Sequence, residues 1–264
     1  MVKRERHLYI LDKVEKEGRV LTKDLVNELN LAEDTVRKDF QELSAQGKVQ
    51  RFHGGILKLA DKPLDFSVRI AEQATAKERL AALAVPLLTD KKVLYIDGGT
   101  TNLKLAQLMP KDYAGTVITN APDIALAFCA HPQVEIMLIG GILNHATKVV
   151  AGSKAMEQLR DMNIECCVLG VSSVSASCGI TYPLSDEAML KREVIKHSKQ
   201  VLAIATRNKI GSVSTFRAAE ISDLDILVTD ETEEKVIEEL GSHGIDIVKA
   251  PEENLLTDEK IAEA

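Results

Sequence analysis

Asp97-Gly98-Gly99-Thr100-Thr101 is a run suited to holding an anion. Two glycines let the main chain approach a ligand. Two threonines bring hydroxyls and free amides to a helix start, which suits a phosphate. The run is neither a Walker loop nor G-x-G-x-x-G, so a nucleotide is not its expected occupant. An ordinary strand-to-helix turn accounts for the same residues without a ligand. Other apolar runs end in comparable chemistry. Thr119-Asn120, Gly140-Gly141 and Gly170 each follow one. Asp186-Glu187-Ala188 opens a helix carrying Lys191 and Arg192, and Thr206-Arg207-Asn208-Lys209-Ile210-Gly211 follows a fifth run. Together they predict one convergent polar pocket for an anionic, hydroxylated ligand. Amides, hydroxyls and lysine suit a phosphate, while carboxylate and amide groups suit sugar hydroxyls.

A second constellation lies near the N-terminus, in LAEDTVRKDFQELSAQGKVQRFHGG over residues 31–55. Val36, Phe40 and Leu43 recur at i, i+4 and i+7, the spacing of a buried helix face. Thr35, Arg37, Lys38 and Gln41 fall elsewhere, where a helix meets bases and phosphates in a major groove. Gly47 ends the helix. Lys48 to Phe52 reads as a strand, His53-Gly54-Gly55 as a tight turn, and Ile56 to Leu59 as the returning strand. Upstream, Lys3 to Glu17 is a helix pattern with Leu8, Leu11 and Val14 inward. Thr22 is placed as the N-cap of a second helix whose apolar side holds Leu25, Val26 and Leu29. These elements make a winged helix-turn-helix.

Charge supports a nucleic-acid partner for this part alone. The chain is acidic overall, at −7, yet residues 1–60 carry +2 and residues 61–264 carry −9. Five basic residues (Arg37, Lys38, Lys48, Arg51, Lys58) face two acidic ones (Asp39, Glu42) between residues 35 and 58, a local patch of the kind phosphate contacts require.

The elements that must position the pocket follow. Asp61 to about Ser67 reads as a linker around Pro63, and Ala71 to Leu88 as a helix. Beyond Lys91, apolar strands alternate with helices. Strands are expected at Val93–Ile96, Thr116–Thr119, Val134–Ile139, Cys166–Gly170, Val201–Ala205 and Ile226–Thr229. Helices are expected at Asn102–Leu108, Pro122–Ala130, Ser153–Arg160, Asp186–His197 and Glu233–Leu240. The fold class is therefore α/β, a small winged domain followed by a larger domain with a mostly parallel sheet. Ligands bind such sheets at the strand carboxyl ends. The divisions expected are residues 1–60, a linker at 61–75, an effector domain at 76–250 and a tail at 251–264.

Composition removes several classes. No apolar run is long enough to cross a membrane, and MVKRERHLYI is no secretory signal, so a cytoplasmic protein is expected. Cys129, Cys166, Cys167 and Cys178 form no C-x-x-C motif and read as reduced core residues. Neither a metal nor another cofactor is expected. Trp is absent and aromatics make up 3%, against a stacking platform for single strands.

T-V-R-K-D-F followed by G-K-V-Q-R-F-H-G-G resembles the N-terminal pattern of the DeoR family of bacterial transcriptional regulators. D-x-G-T-T, T-N, G-G, E-A-x-x-K-R and K-x-G follow in the family's order, so the resemblance runs from about Arg4 to Val248. It implies a sensor domain similar in fold to ribose-5-phosphate isomerase, responsive to a phosphorylated sugar or related metabolite. Gly99, Thr100 and Thr101 are then implied to hold the phosphate, with Asn120, Glu187, Lys191 and Lys209 bordering the sugar. Asp97, Gly98 and Gly141 complete the expected effector set. The expected DNA-contacting set is Thr22, Thr35, Arg37, Lys38, Gln41, Lys48, Arg51 and His53. Two positions depart from the pattern: Ala32 stands where the family has a capping serine, and Thr206 where it commonly has Asp.

The function expected is a DNA-binding regulator, a repressor by the resemblance, of carbohydrate metabolism. It acts as a homo-oligomer, dimer or tetramer, on double-stranded operator DNA, because single small winged domains rarely bind specifically enough alone. The alternatives are a sugar-phosphate isomerase with an appended DNA-binding domain and a constitutive scaffold with a degenerate pocket.

Overall fold

The structure, a computed structural model, describes residues 1–59 and 65–251. The expected linker residues 61–64 and most of the expected tail lie outside the described residues. The N-terminal elements are α1 (Lys3–Glu17), β1 (Arg19–Leu21), α2 (Thr22–Leu29), α3 (Glu33–Ala45), β2 (Val49–Phe52) and β3 (Gly55–Leu59). Val36, Phe40 and Leu43 of α3 are buried as their spacing predicts, against Ile10, Val14, Val20 and Leu25. The α1 stripe differs from expectation. Arg6, Ile10 and Val14 face inward, Leu11 is half-buried, and Leu8 is 62% exposed. The stripe shifts because Arg6 reaches across to Asp39 of α3, which also lies 3.0 Å from His7 Nε2. Burial alone would raise the Asp39 pKa, but the bonds to Arg6 and His7 outweigh it and hold the carboxyl below its usual range.

One cap departs from expectation and one agrees with it. Thr22 does not cap α2: Leu21 occupies that position, and Thr22 is buried inside the helix. Its amide donates instead to the Gly54 carbonyl at 2.8 Å, pinning the wing tip to the helix-turn-helix. Ala32 is the N-cap of α3 and supplies no side-chain bond, with Glu33 and Asp34 in the first turn as the remaining electrostatic support.

The larger part begins with α4 (Phe66–Arg69) and α5 (Ala74–Ala84), so the expected helix from Ala71 is shorter at both ends. A 3-10 turn over Val85–Leu87, containing Pro86, replaces its last part, since Pro has no amide for the helix ladder. There follow β4 (Val93–Ile96), α6 (Thr100–Leu108), β5 (Gly115–Thr119), α7 (Pro122–Phe128), β6 (Val134–Leu138), β7 (Ile142–Leu143), β8 (Val150–Ala151), α8 (Ser153–Leu159) and β9 (Cys166–Gly170). The chain continues through β10 (Ser173–Ser175), β11 (Gly179–Tyr182), α9 (Ser185–Lys196), β12 (Val201–Ala205), β13 (Ser212–Val213), β14 (Phe216–Ala219), β15 (Ile226–Thr229), α10 (Glu234–Gly241) and β16 (Asp246–Lys249).

All six expected strands pair in a seven-stranded parallel sheet ordered β16-β15-β12-β9-β4-β5-β6. Alternation along each strand feeds two cores. Leu94, Ile96, Cys166 and Val168 enter one, and Tyr95, Cys167 and Leu169 the other. Burial raises the Cys166 thiol to about 12 and that of Cys167 further, so neither is an active thiolate at neutral pH. Cys129 is exposed and Cys178 half-exposed, so the four cysteines are not all core residues. Strand β10-β11-β14 forms a separate antiparallel sheet.

Strand β13 belongs to none of the sheets formed within the sensor half. It pairs in parallel with β3 of the wing, Ser212 opposite Lys58 and Val213 opposite Leu59. An ion pair between Arg19 and Glu239 adds a second link between the two halves. Ala32→Ser restores a side-chain cap on α3 and is expected to stabilise the winged domain by about 1 kcal/mol, read as a higher urea midpoint.

Candidate functional site: a cavity at the strand carboxyl ends

From β4 the chain steps to β5 and β6 on one side, then crosses back to lay β9 against the other side of β4. Parallel sheets open a crevice at such a switch point. Asp97 ends β4 and Gly170 ends β9 there, and both line a cavity of about 280 Å³.

Asp97 is fully buried and organises the cavity floor. Lys191 of α9, 2% exposed, places its ammonium 2.6 Å from Asp97 Oδ1. The other carboxylate oxygen accepts the Gly170 amide at 3.0 Å. Burial raises the Asp97 pKa above its ordinary value, a shift opposed by Lys191 and supported by Glu187. The loop after Asp97 passes tightly against its neighbours. A Cβ on Gly98 would lie 2.0 Å from Val149 Cγ1, and one on Gly170 would lie 2.1 Å from the Gly98 carbonyl oxygen. These glycines serve loop packing. Gly99 caps α6, and Thr100 and Thr101 open that helix on the cavity.

Of the expected effector set, Asp97, Gly98, Gly99, Thr100, Thr101, Glu187, Lys191 and Lys209 all line the cavity. Asn120 and Gly141 do not. Asn120 is fully buried; its Oδ1 accepts the Gly98 amide at 3.1 Å and its Nδ2 donates to the Val150 carbonyl at 3.1 Å. It fixes the glycine loop from behind. Gly141 leads into β7, where a Cβ would meet Val150 Cγ1 at 2.8 Å. Thr206 borders the cavity, and its hydroxyl donates to Asn208 Oδ1 at 2.6 Å.

The structure adds residues that the sequence motifs did not mark. Lys58, Arg69, Glu72, Lys77, Asn102, Thr147 and Tyr182 also line the cavity. Lys77 is on the inner face of α5, and its ammonium donates to the Arg69 carbonyl. Burial, against Glu72 and together with Lys209 and Arg69, lowers its pKa to about 8. A lysine on an otherwise apolar helix stripe was the available signal. Four cavity residues also hold buried polar atoms that have no hydrogen-bond partner among the described residues: Asn102 Oδ1, Thr147 Oγ1, Tyr182 OH and Glu187 Oε1.

The DNA-facing residues occupy a separate surface. Arg37, Lys38 and Gln41 of α3 are exposed, as are Lys48, Arg51 and His53 of the wing, while Thr35 is half-buried. Arg37 pairs with Glu33 at 2.6 Å on its own helix. Asp39, an acidic residue in the sequence patch, is neutralised internally by Arg6. Lys58, a basic one, borders the cavity while its ammonium pairs with Glu15 of α1.

Two family models cover this arrangement. The DeoR-like helix-turn-helix domain matches residues 6–61, and the DeoR C terminal sensor domain matches residues 72–231. The chain belongs to the DeoR family. Similar proteins include the "Uncharacterized HTH-type transcriptional regulator FruR" of Bacillus subtilis, 32% identical over 88% of this chain and 93% of that protein. The "HTH-type transcriptional repressor GlcR" of the same organism is 31% identical over 87% and 89%. The "Glycerol-3-phosphate regulon repressor" of Escherichia coli is 26% identical over 87% and 92%. Among solved structures, ribose 5 phosphate isomerase A from Neisseria gonorrhoeae overlays 52% of this chain and 53% of that one, at 13% identity and TM-score 0.37. That overlay is too loose to carry functional weight. This DeoR-family chain is a DNA-binding transcriptional regulator with a C-terminal sensor domain. None of its described helices is long and apolar enough to cross a membrane.

Two outcomes are expected at this DeoR-family cavity. Asp97→Asn leaves the Lys191 charge buried without its partner and is expected to cost about 3–5 kcal/mol, read in urea unfolding of the sensor domain. Lys77 is charged below about pH 8 and neutral above it. Sulfate, which does not itself titrate there, should therefore bind with constant affinity below that pH and progressively more weakly above it. Lys77→Met should remove the inflection in a calorimetric pH series.

Proposed function

We propose that the cavity receives a phosphorylated sugar or a related anionic metabolite, and that its occupancy sets the affinity of a homo-oligomer for operator DNA. The observation that carries this reading is the gathering of cations, hydroxyl-bearing residues and a helix start around one cavity. Lys77, Lys209 and Arg69 supply positive charge beside the Gly99–Thr101 helix start. Thr100, Thr101, Glu187 and Asn208 line the same space with groups of the kind that bind ligand hydroxyls. A phosphate satisfies the first set and a polyol the second. The name of one relative, a glycerol-3-phosphate regulon repressor, agrees with this class of ligand.

We read the cavity as a sensor, not a catalyst. An isomerase needs a carboxylate free to act as base over the sugar carbon. Asp97 is committed to Lys191 and the Gly170 amide, and Asp186 is exposed outside the cavity. Glu187 can bind a hydroxyl without removing a proton from carbon. Action on operator DNA places the protein in the cytoplasm, and paired recognition helices on repeated half-sites supply the specificity one winged domain lacks.

A thermal-shift screen with ribose 5-phosphate, glucose 6-phosphate, fructose 1-phosphate and glycerol 3-phosphate tests the ligand class. At least one should raise the melting temperature and change operator affinity; turnover of any of them at enzyme-like rates would contradict the sensor reading. Two variants should separate the functions. Arg37→Ala is expected to weaken operator binding by about 1–3 kcal/mol while leaving the thermal shift intact. Lys209→Ala should keep operator affinity and lose the response.

A further inference from the structure

We propose that Lys58, a residue of the DNA-binding wing, is part of the sensor's anion site and passes its occupancy directly to the wing. The inference rests on reading the cavity as an anion sensor. Lys58 lies on β3 opposite Ser212 of β13, and both residues border the cavity. Three residues before Ser212, Lys209 lines the same space. The cavity is thus completed by the other domain, and the parallel strand pair β3–β13 forms the joint.

Lys58 is not placed to serve DNA as Lys48 and Arg51 are. Those two are exposed, whereas the Lys58 side chain is only 25% exposed. Its ammonium pairs with Glu15 of α1, and its amide donates to the Gly18 carbonyl at 2.7 Å, just past the end of α1. One residue therefore touches the wing strand, the first helix and the cavity. The Glu15 partner is 64% exposed, so the pair contributes little and exchanges readily. A dianionic phosphate, held among Lys77, Lys209 and Arg69 in a less solvated space, is the stronger partner. Binding exchanges Glu15 for the ligand, reinforces the pairing of β3 with β13 and holds the wing on the sensor domain. An operator that requires the wing elsewhere then opposes ligand binding, and the two affinities change by a common factor.

The test compares Lys58→Gln with Glu15→Gln in the full-length chain. Each is titrated calorimetrically with inorganic phosphate and with whichever sugar phosphate gives the largest wild-type thermal shift. Lys58→Gln should weaken binding about tenfold or more, the loss of one charge-assisted bond. Glu15→Gln frees Lys58 and should bind at least as tightly as wild type. At saturating ligand, Lys58→Gln should stay on an operator selected from random DNA by the wild-type protein, while wild type leaves it. If Lys58→Gln binds like wild type, Lys58 is no part of the site. If both variants weaken binding alike, Lys58 acts only through its pair with Glu15, and the inference fails while the sensor reading stands. If wild type binds no phosphate compound, both fail together.

Discussion

The carboxylate of Asp97 is the point on which the sensor domain converges. It ends the central strand, accepts the amide of Gly170 from the next strand and lies 2.6 Å from Lys191 on α9. A buried ion pair is weak as a source of net stability, because desolvation offsets most of its attraction. Its value here is positional. It fixes two strand ends and one helix in a single geometry, and the glycine loop between Asp97 and Thr100 inherits that geometry. Asn120 holds the same loop from the opposite side through the Gly98 amide. Glycines at 98 and 170 are then demanded by the closeness of the packing.

Around this fixed floor the walls carry several cations. The cavity gathers lysines and an arginine from α4, α5, the loop before β13 and the wing. One lysine has a pKa lowered to about 8 by burial and by its cationic neighbours. Buried hydroxyl, amide and carboxylate atoms stand beside them without partners among the described residues. A phosphorylated, hydroxylated ligand offsets the repulsion among these cations and suits the polar lining around them. Because one wall belongs to the wing, the proposed ligand has direct purchase on the DNA-binding domain. No relay across the sensor core is required.

The parallel sheet and the recognition helix were legible in the sequence because each rests on periodicity. Apolar runs at Val93, Cys166 and Val201 became central strands, and Val36, Phe40 and Leu43 became a buried stripe. The glycine-threonine run was legible because its chemistry is contiguous. What was hidden depends on partners distant in sequence. Arg6 is buried only because Asp39 meets it, which displaced Leu8 from the expected stripe. Asn120 reads as a ligand group by type but is consumed by two main-chain bonds. Lys58 reads as wing charge, and only the pairing of β3 with β13 reveals that it borders the cavity. Strand β16 was missed because Asp246–Lys249 is a short edge strand of mixed polarity.

Reciprocal coupling is the central claim, and it has a direct measurement. The dissociation constant of the bound sugar phosphate is measured by calorimetry with and without saturating operator. The operator constant is measured with and without saturating sugar phosphate. The account predicts that both constants rise by one common factor of about 5–150, corresponding to 1–3 kcal/mol of coupling. Equal ligand affinity in the presence and absence of operator would contradict it.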